Sequence, residues 1–326
     1  MSQGLDAPAT LLGLDFSCAP SKRKPLTLAY GYRAGHVVKL DRVDELPTLG
    51  ELEALIKADA IQARHPHQPD LAHGFVMGCD FPFGLPRPFV MALALHGPGQ
   101  LPKDLAVLLD SLDADQGTHA TDRLILALHR HCQDRAGFQK LVDGWGDTWH
   151  LERTQGSKLL HRMADRAVPG LSSTSPLQTR YVPVGKMYFE GMARLVAANL
   201  TLPGLRPGRP DAVAMEAYPG LLAGEILGKR SYKSDKNSDT DATPERLIAR
   251  MDLVDALEQG RTRLGLRLKL SPAQRDQLVS DPKGDRLDAA LCLMQAAWAH
   301  AQNEQGHANW GLPPDMDPIE GWILTA

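Results

Sequence analysis

Three short apolar runs, each ending in or close to an acidic residue, constrain the fold of this chain more than any other sequence feature. They are residues 11–15, 74–80 and 211–218, and their acids are Asp15, Asp80 and Glu216. Each run is typical of a buried β-strand. In open α/β sheets ligands collect at the carboxyl ends of strands, and a carboxylate beside buried backbone is costly unless it is paired or binds a cation. One such acid is equally well explained as a turn former, but three together indicate a site.

The segments between the first two runs predict a mixed sheet. Residues 25–32 and 36–43 are typical of two further strands joined by a turn at 34–35, so the chain begins with an antiparallel meander of three strands. Residues 49–60 have leucines at helical spacing and precede the strand at 74–80. The order strand, strand, strand, helix, strand predicts an α/β protein.

The middle of the chain differs from this pattern, because it is mostly helical and has no strong strand signal. Its clearest helices are at 105–112, 121–132 and 185–200, and a Gly-, Pro- and Arg-rich linker follows at 203–210. After the third apolar run come a polar loop at 229–243 and helices at 244–258 and 285–302. We therefore expect a core formed by residues 1–87 and 210–326, with a large helical insertion at 88–209 that caps the site.

Composition narrows the classes of function. The net charge of −3 gives no overall basic balance, so nucleic-acid binding would have to rest on a local patch. The 4 cysteines form no C-x-x-C pair, which argues against a disulfide framework or a structural zinc site. The N-terminus does not resemble a signal peptide and no apolar stretch is long enough to span a bilayer, so we expect a cytoplasmic protein without a membrane partner.

Two further acids, Asp285 and Asp288, lie three residues apart on the last predicted helix and therefore share a face. Both also suit the first turn of a helix, and taken alone a capping role is the stronger interpretation. Together with Asp15 and Asp80 they form an all-oxygen ligand set, which hard cations such as Mg²⁺ and Mn²⁺ prefer. One or two such ions can activate water and stabilise the leaving oxygen of an in-line displacement.

Five motifs occur in order along most of the chain. They are Gly13-Leu14-Asp15, the segment 78–86 (G-C-D-F-P-F-G-L-P), the segment 215–219 (M-E-A-Y-P), the segment 285–289 (D-R-L-D-A) and the segment 320–323 (E-G-W-I). In this order they resemble a bacterial domain-of-unknown-function family described as predicted nucleases with a ribonuclease H-like fold. The D-x-x-D-A piece is also similar to Holliday junction resolvases.

The resemblance implies a ribonuclease H-like core and a role for each acid. It makes Asp15, Asp80, Asp285 and Asp288 the metal ligands. It makes Asp15, Asp80, Glu216 and Asp288 the catalytic residues, with Glu216 in the E-x-Y-P motif of the family. The length of residues 88–209 departs from a minimal core of this kind.

Basic residues close to the acids in sequence, or in the insertion, are candidates for binding a phosphate-containing substrate. They are Lys22, Arg23, Arg162, Lys186 and Lys233. Lys22 and Arg23 belong to a basic turn soon after Asp15, where contact with a phosphate backbone is one interpretation. A solvated loop is the more common role for such a charge run.

The sequence leaves three functional hypotheses open. The leading one is a metal-dependent nuclease or related phosphodiester hydrolase acting on nucleic acid or a phosphate ester. The second is a nucleotide-binding kinase or ATPase on the same core. Such proteins usually place a glycine- and threonine-containing turn after the first acid, whereas Phe16, Ser17 and Cys18 follow Asp15 here. The third is a non-catalytic binding protein, and the oligomeric state is left open.

Overall fold

A single mixed sheet of seven strands organises the part of the chain that the structure describes. The computed structural model describes residues 9–57, 74–112, 120–147, 158–168, 173–234 and 243–326. The strands are β1 (Thr10–Asp15), β2 (Leu26–Ala34), β3 (Val37–Leu46), β4 (Phe75–Asp80), β5 (Leu200–Thr201), β6 (Arg209–Glu216) and β7 (Arg267–Lys269). Their order across the sheet is β5-β6-β4-β1-β2-β3-β7. The predicted α/β class is confirmed.

The sheet contains both antiparallel and parallel pairs. Strands β1, β2 and β3 form an antiparallel meander, as the sequence predicts. On its other side β1 pairs in parallel with β4, and β4 pairs in parallel with β6. The three apolar runs that end in acids are therefore three adjacent parallel strands, and their carboxyl ends lie at one edge of the sheet.

Ten α-helices are described. Helix α1 (Leu49–Ile56) precedes β4. Between β4 and β5 lie α2 (Arg87–His96), α3 (Leu101–Leu112), α4 (Ala120–Cys132), α5 (Arg135–Asp147) and α6 (Val184–Ala197). After β6 come α7 (Pro219–Leu227), α8 (Pro244–Gln259), α9 (Pro272–Ser280) and α10 (Asp285–Glu304). Residues 58–60 of the first predicted helix and 235–242 of the predicted polar loop lie outside the described residues. None of the described helices combines the length and apolarity needed to cross a membrane.

Segment ends follow local chemistry. Helix α1 starts with a capping box, in which Thr48 and Glu51 each accept a hydrogen bond from the other's backbone N–H. Helix α10 starts instead at Gly284, whose φ of 76° suits glycine and turns the chain sharply into the helix. The expected cap role for Asp285 is therefore not the one it has, since Asp285 is the first helical residue.

Two glycines allow α10 to lie directly on the sheet. Gly13 of β1 and Gly78 of β4 are paired in register, and each lies two residues before the acid that ends its strand. A Cβ atom at Gly13 would lie 2.1 Å from the Ala289 carbonyl oxygen, and one at Gly78 would lie 2.5 Å from the Cys292 carbonyl oxygen. The helix backbone therefore contacts the strand backbone, which brings the start of α10 to the carboxyl ends of β1 and β4.

We expect Gly13→Ala to destabilise the protein, because its methyl group would overlap backbone atoms of α10 that cannot move aside independently. Overpacking of this kind costs about 1–3 kcal/mol or more. Gly224→Ala is the matched control, since Gly224 is an exposed residue of α7 with open space around it, and alanine there should stabilise by about 0.5–1 kcal/mol. Urea unfolding measures both. Equal stability of Gly13→Ala and the wild type would contradict the close packing of α10.

Candidate functional site

Two carboxylates meet at the edge of the sheet because of strand register. Asp15 is the last residue of β1 and Asp80 is the last residue of β4. The strands are parallel and pair Asp15 with Asp80 directly, so the two side chains leave the sheet at the same level. Both side chains are half-buried. This places two acids next to each other at the position where open α/β sheets bind ligands.

The third carboxylate comes from the first turn of α10. Asp288 is fully buried, and one carboxylate oxygen from each of Asp15, Asp80 and Asp288 lies within 4.8 Å of the other two. Two oxygens bound to one Mg²⁺ at 2.0–2.1 Å lie at most about 4.2 Å apart. Small side-chain rotations would therefore bring all three oxygens onto one ion. We call Asp15, Asp80 and Asp288 the carboxylate cluster.

A lysine from the protein itself contacts the cluster. The ammonium of Lys233 forms an ion pair with Asp288, and the hydroxyl of Tyr232 donates a hydrogen bond of 2.5 Å to the other carboxylate oxygen of Asp288. Arg250 holds this segment by donating to the Tyr232 carbonyl oxygen at 2.8 Å. The sequence suggested Lys233 as a substrate ligand, whereas the structure places it as the cation that offsets the charge of the cluster.

Burial and mutual repulsion favour the protonated form of these acids. Burial, followed by the charge of Asp288, raises the pKa of Asp80 to about 7 against the opposing effect of Lys233. Burial and then Asp288 also raise the pKa of Asp15 well above its usual value. The pKa of Asp288 is raised by burial, against the opposing effect of Lys233. A divalent cation would reverse this balance, because it stabilises the ionised carboxylates.

Asp285 lies beside the cluster but not within it. Its side chain is half-buried, and its charge contributes to the raised pKa of Asp15. Burial, followed by the charge of Asp281, raises the pKa of Asp285 itself. Among the described residues, Asp15, Asp80 and Asp288 form the one group of three or more possible metal ligands whose ligand atoms lie within 4.8 Å of one another. Asp285 is therefore a neighbour of the three-acid group and not a member of it.

Glu216 lies elsewhere, in a buried ion pair. Arg162 donates to both of its carboxylate oxygens, at 2.6 and 2.7 Å, and the backbone N–H of Phe83 donates to one of them at 2.8 Å. Arg162 also binds the carboxylate of Asp165. The sequence assigned Glu216 a catalytic role and Arg162 a substrate role. The structure engages both inside the protein, where they hold the loop that follows Asp80.

Glu320, in the last of the five motifs, has a similar structural position. It accepts hydrogen bonds of 2.8 Å from the backbone N–H groups of Arg87 and Met163. Its own backbone oxygen accepts from Arg162 at 3.0 Å. Sequence reasoning missed the roles of Asp165 and Glu320. The one available signal was the spacing of Arg162 and Asp165, three residues apart at the start of a short 3-10 helix, Ala164–Arg166.

The remaining basic candidates lie in two places outside the carboxylate cluster. Lys22 and Arg23 are exposed in a tight turn that Ser21 and Lys24 close. The ammonium of Lys283, just before α10, donates to the Arg23 carbonyl oxygen at 2.6 Å, so this turn lies beside the start of α10. Lys186 lies on the first turn of α6 and lines a cleft with Cys18. Lys22 and Arg23 therefore lie near the start of α10, and Lys186 lies in a cleft next to the loop after β1.

Comparison with known proteins adds no family to this description. Neither a scan against protein-family models nor searches of curated proteins and solved structures found a match for this chain.

Proposed function

We propose that this protein is a metal-dependent phosphodiester hydrolase, most simply a nuclease, built on a ribonuclease H-like core. The observation that carries the proposal is the carboxylate cluster, in which oxygens of Asp15, Asp80 and Asp288 from three separate elements lie within 4.8 Å of one another. An all-carboxylate donor set of this size fits Mg²⁺ or Mn²⁺ and suits neither a soft metal nor a side-chain nucleophile.

The strand order supports the proposed core. An antiparallel meander is followed by a helix and then by β4, which returns to pair in parallel with β1. The acids lie at the ends of the first and fourth strands and on the last helix. This is the arrangement that the resemblance implies. The segment with α2 to α6 then stands as an insertion between β4 and β5.

In this proposal each residue in or next to the cluster has a separate role. Bound Mg²⁺ or Mn²⁺ would polarise the phosphodiester and supply a water molecule with a lowered pKa. Asp15 and Asp80, which are half-buried, and Asp288, which is fully buried, would hold the ion. Tyr232 fixes the orientation of the Asp288 carboxylate. Lys233, which contacts Asp288, would be a candidate to bind a non-bridging phosphate oxygen of the substrate.

The direct test is cleavage by the wild-type protein. Single- and double-stranded DNA and RNA are incubated with Mg²⁺, with Mn²⁺ and with EDTA, and products are separated by length. Products that appear with either ion and are absent with EDTA would support the proposal. The absence of products with every substrate and ion, together with no heat of binding for Mn²⁺ in calorimetry, would refute it.

Ion binding should strengthen as the pH rises from about 6 to about 8. The pKa of Asp80 is raised to about 7, so an incoming ion must displace a proton below that pH and meets a carboxylate above it. Calorimetry with Mn²⁺ in two buffers of different ionisation enthalpy measures both the affinity and the protons released. An affinity that does not change over this range would contradict the protonated state of the cluster.

A further inference from the structure

We propose that a cleft lined by the loop that follows Asp15 binds an unpaired nucleic-acid strand, with a base stacked on Tyr181 and a phosphate on Lys186. This deepens the proposed function by naming the form of its substrate, and its position relative to the reaction rests on that function. The cleft has a volume of about 650 Å³ and is bounded by the loop after β1, the start of α5 and the segment that leads into α6.

The cleft adjoins the loops that carry the acids. Cys18 and Ala19 form one wall and follow Asp15 by three and four residues. Phe16 packs on Phe81, the residue after Asp80, with ring centroids 4.7 Å apart. Phe81 in turn contacts α6 so closely that a Cβ atom at Gly191 would lie 2.5 Å from its ring. A strand that lies in the cleft is therefore led towards the carboxyl ends of β1 and β4.

Tyr181 is presented to solvent at a conformational cost. Its relative exposure is 98%, and its φ of 61° lies in the left-handed region that residues other than glycine rarely adopt. Arg180, next to it, is held by two hydrogen bonds to Asp143, at 2.6 and 2.7 Å. The aromatic ring is thus held out in solvent, and its exposure leaves little packing energy to offset the unfavourable backbone conformation. A base stacked on the ring would supply a stabilising contact that offsets this cost.

The cations of the cleft are fixed in place. Arg135 donates to the Cys18 carbonyl oxygen and forms an ion pair of 3.3 Å with Glu190. Lys186, half-buried on the first turn of α6, makes no ion pair with any residue in the described part of the chain. Its ammonium is therefore available to an external anion.

The combination selects single strands. Every base has a face that can stack on an aromatic ring, and the spaced phosphates of the backbone bind cations beside it. In a duplex the base faces are covered by neighbouring base pairs, so Tyr181 would have nothing to stack on. A duplex would reach the cleft only through its phosphates.

The test is binding of a fluorescently labelled oligonucleotide of about 15 nucleotides. Anisotropy is measured with the full chain in EDTA, separately with DNA and with RNA, so that no cleavage occurs. We expect Tyr181→Ala to weaken binding by roughly tenfold, within the range of one base–aromatic stack, and Tyr181→Phe to bind like the wild type. Lys186→Ala should lower the salt-dependence slope by about 0.7, the contribution of one phosphate contact on a single strand. Lys269→Ala, an exposed lysine of β7 outside the cleft, is the control.

Two results would overturn the inference. One is equal affinity of Tyr181→Ala and the wild type for single strands. The other is binding of duplex as tight as that of single strands. Neither decides the proposed function, because binding is measured without a metal. If Tyr181→Ala cleaves at the wild-type rate, the proposed binding cleft is wrong and the proposed nuclease activity is retained. If binding depends on Tyr181 but no metal-dependent cleavage occurs, the cleft is supported and the proposed nuclease activity is wrong.

Discussion

Asp80→Asn is expected to abolish metal-dependent cleavage while raising the stability of the metal-free protein. The substitution removes one of three oxygen ligands, so activity should fall by more than about 100-fold, since even outer partners of metal ligands are worth 10–100-fold. It also removes an acid that burial and the charge of Asp288 make difficult to ionise. Cleavage rates and thermal melting in EDTA measure the two effects.

The sign of the stability change depends on pH. The pKa of Asp80 is raised to about 7 in the folded protein, above that of an unfolded aspartate. Its stabilising contribution is therefore full below the unfolded pKa and is lost as the pH rises through about 7. Asparagine does not ionise, so the gain from Asp80→Asn should grow from about pH 4 to about pH 7 and level off above that.

Asp276→Asn is the matched control for this variant, because Asp276 is an exposed acid of α9 outside the carboxylate cluster. It should leave both cleavage and melting unchanged. If Asp80→Asn cleaved at the wild-type rate, the role of the cluster in the reaction would be lost. If it lowered the melting temperature at pH 8, the electrostatic description of the cluster would be wrong.

Arg162→Met should cause the largest loss of stability of any single change considered for this protein. Arg162 is 2% exposed, and its removal leaves Glu216 and Asp165 buried without their counter-charge. Breaking a buried pair in this way costs about 3–5 kcal/mol. The loop after Asp80 would also lose its support, because Glu216 holds it through the Phe83 N–H. Urea unfolding measures the loss.

Arg230→Met provides the comparison. Arg230 pairs with Asp252 at 2.7 Å, but both side chains are about half exposed, at 51% and 43%. Exposed pairs contribute about 0–1 kcal/mol. If Arg162→Met and Arg230→Met lowered the free energy of unfolding by similar amounts, the inferred contribution of the buried ion pair to stability would be wrong. Adding Glu216→Gln to Arg162→Met should recover part of the loss, because it removes one of the stranded charges.

Much of the cluster was readable from the sequence. Asp15 and Asp80 end apolar strands, and the strand order predicted the sheet edge that they share. Asp285 and Asp288 were correctly placed on one helix. What the sequence did not reveal was how closely that helix approaches the strands. This follows from Gly13 and Gly78, whose missing side chains are informative only once their contact with α10 is known.

Glu216 shows where such reasoning fails. By its own strand it is equivalent to Asp80, an acid at the end of an apolar run. Its partner Arg162 lies 54 residues earlier, in a segment without periodicity, so no local signal distinguishes a paired acid from a metal ligand. Strands β5 and β7 were missed for a related reason, since two and three residues are too short to show alternation.

The ion pair between Lys233 and Asp288 bears on whether this chain needs a bound ion in order to fold. A group of converging acids repels itself, and in some proteins such a group folds only when a metal ion is bound. Here the polypeptide brings its own positive charge to the spot. The folded chain therefore carries its own counter-charge at this position, and a divalent cation that bound there would compete with the Lys233 ammonium for Asp288.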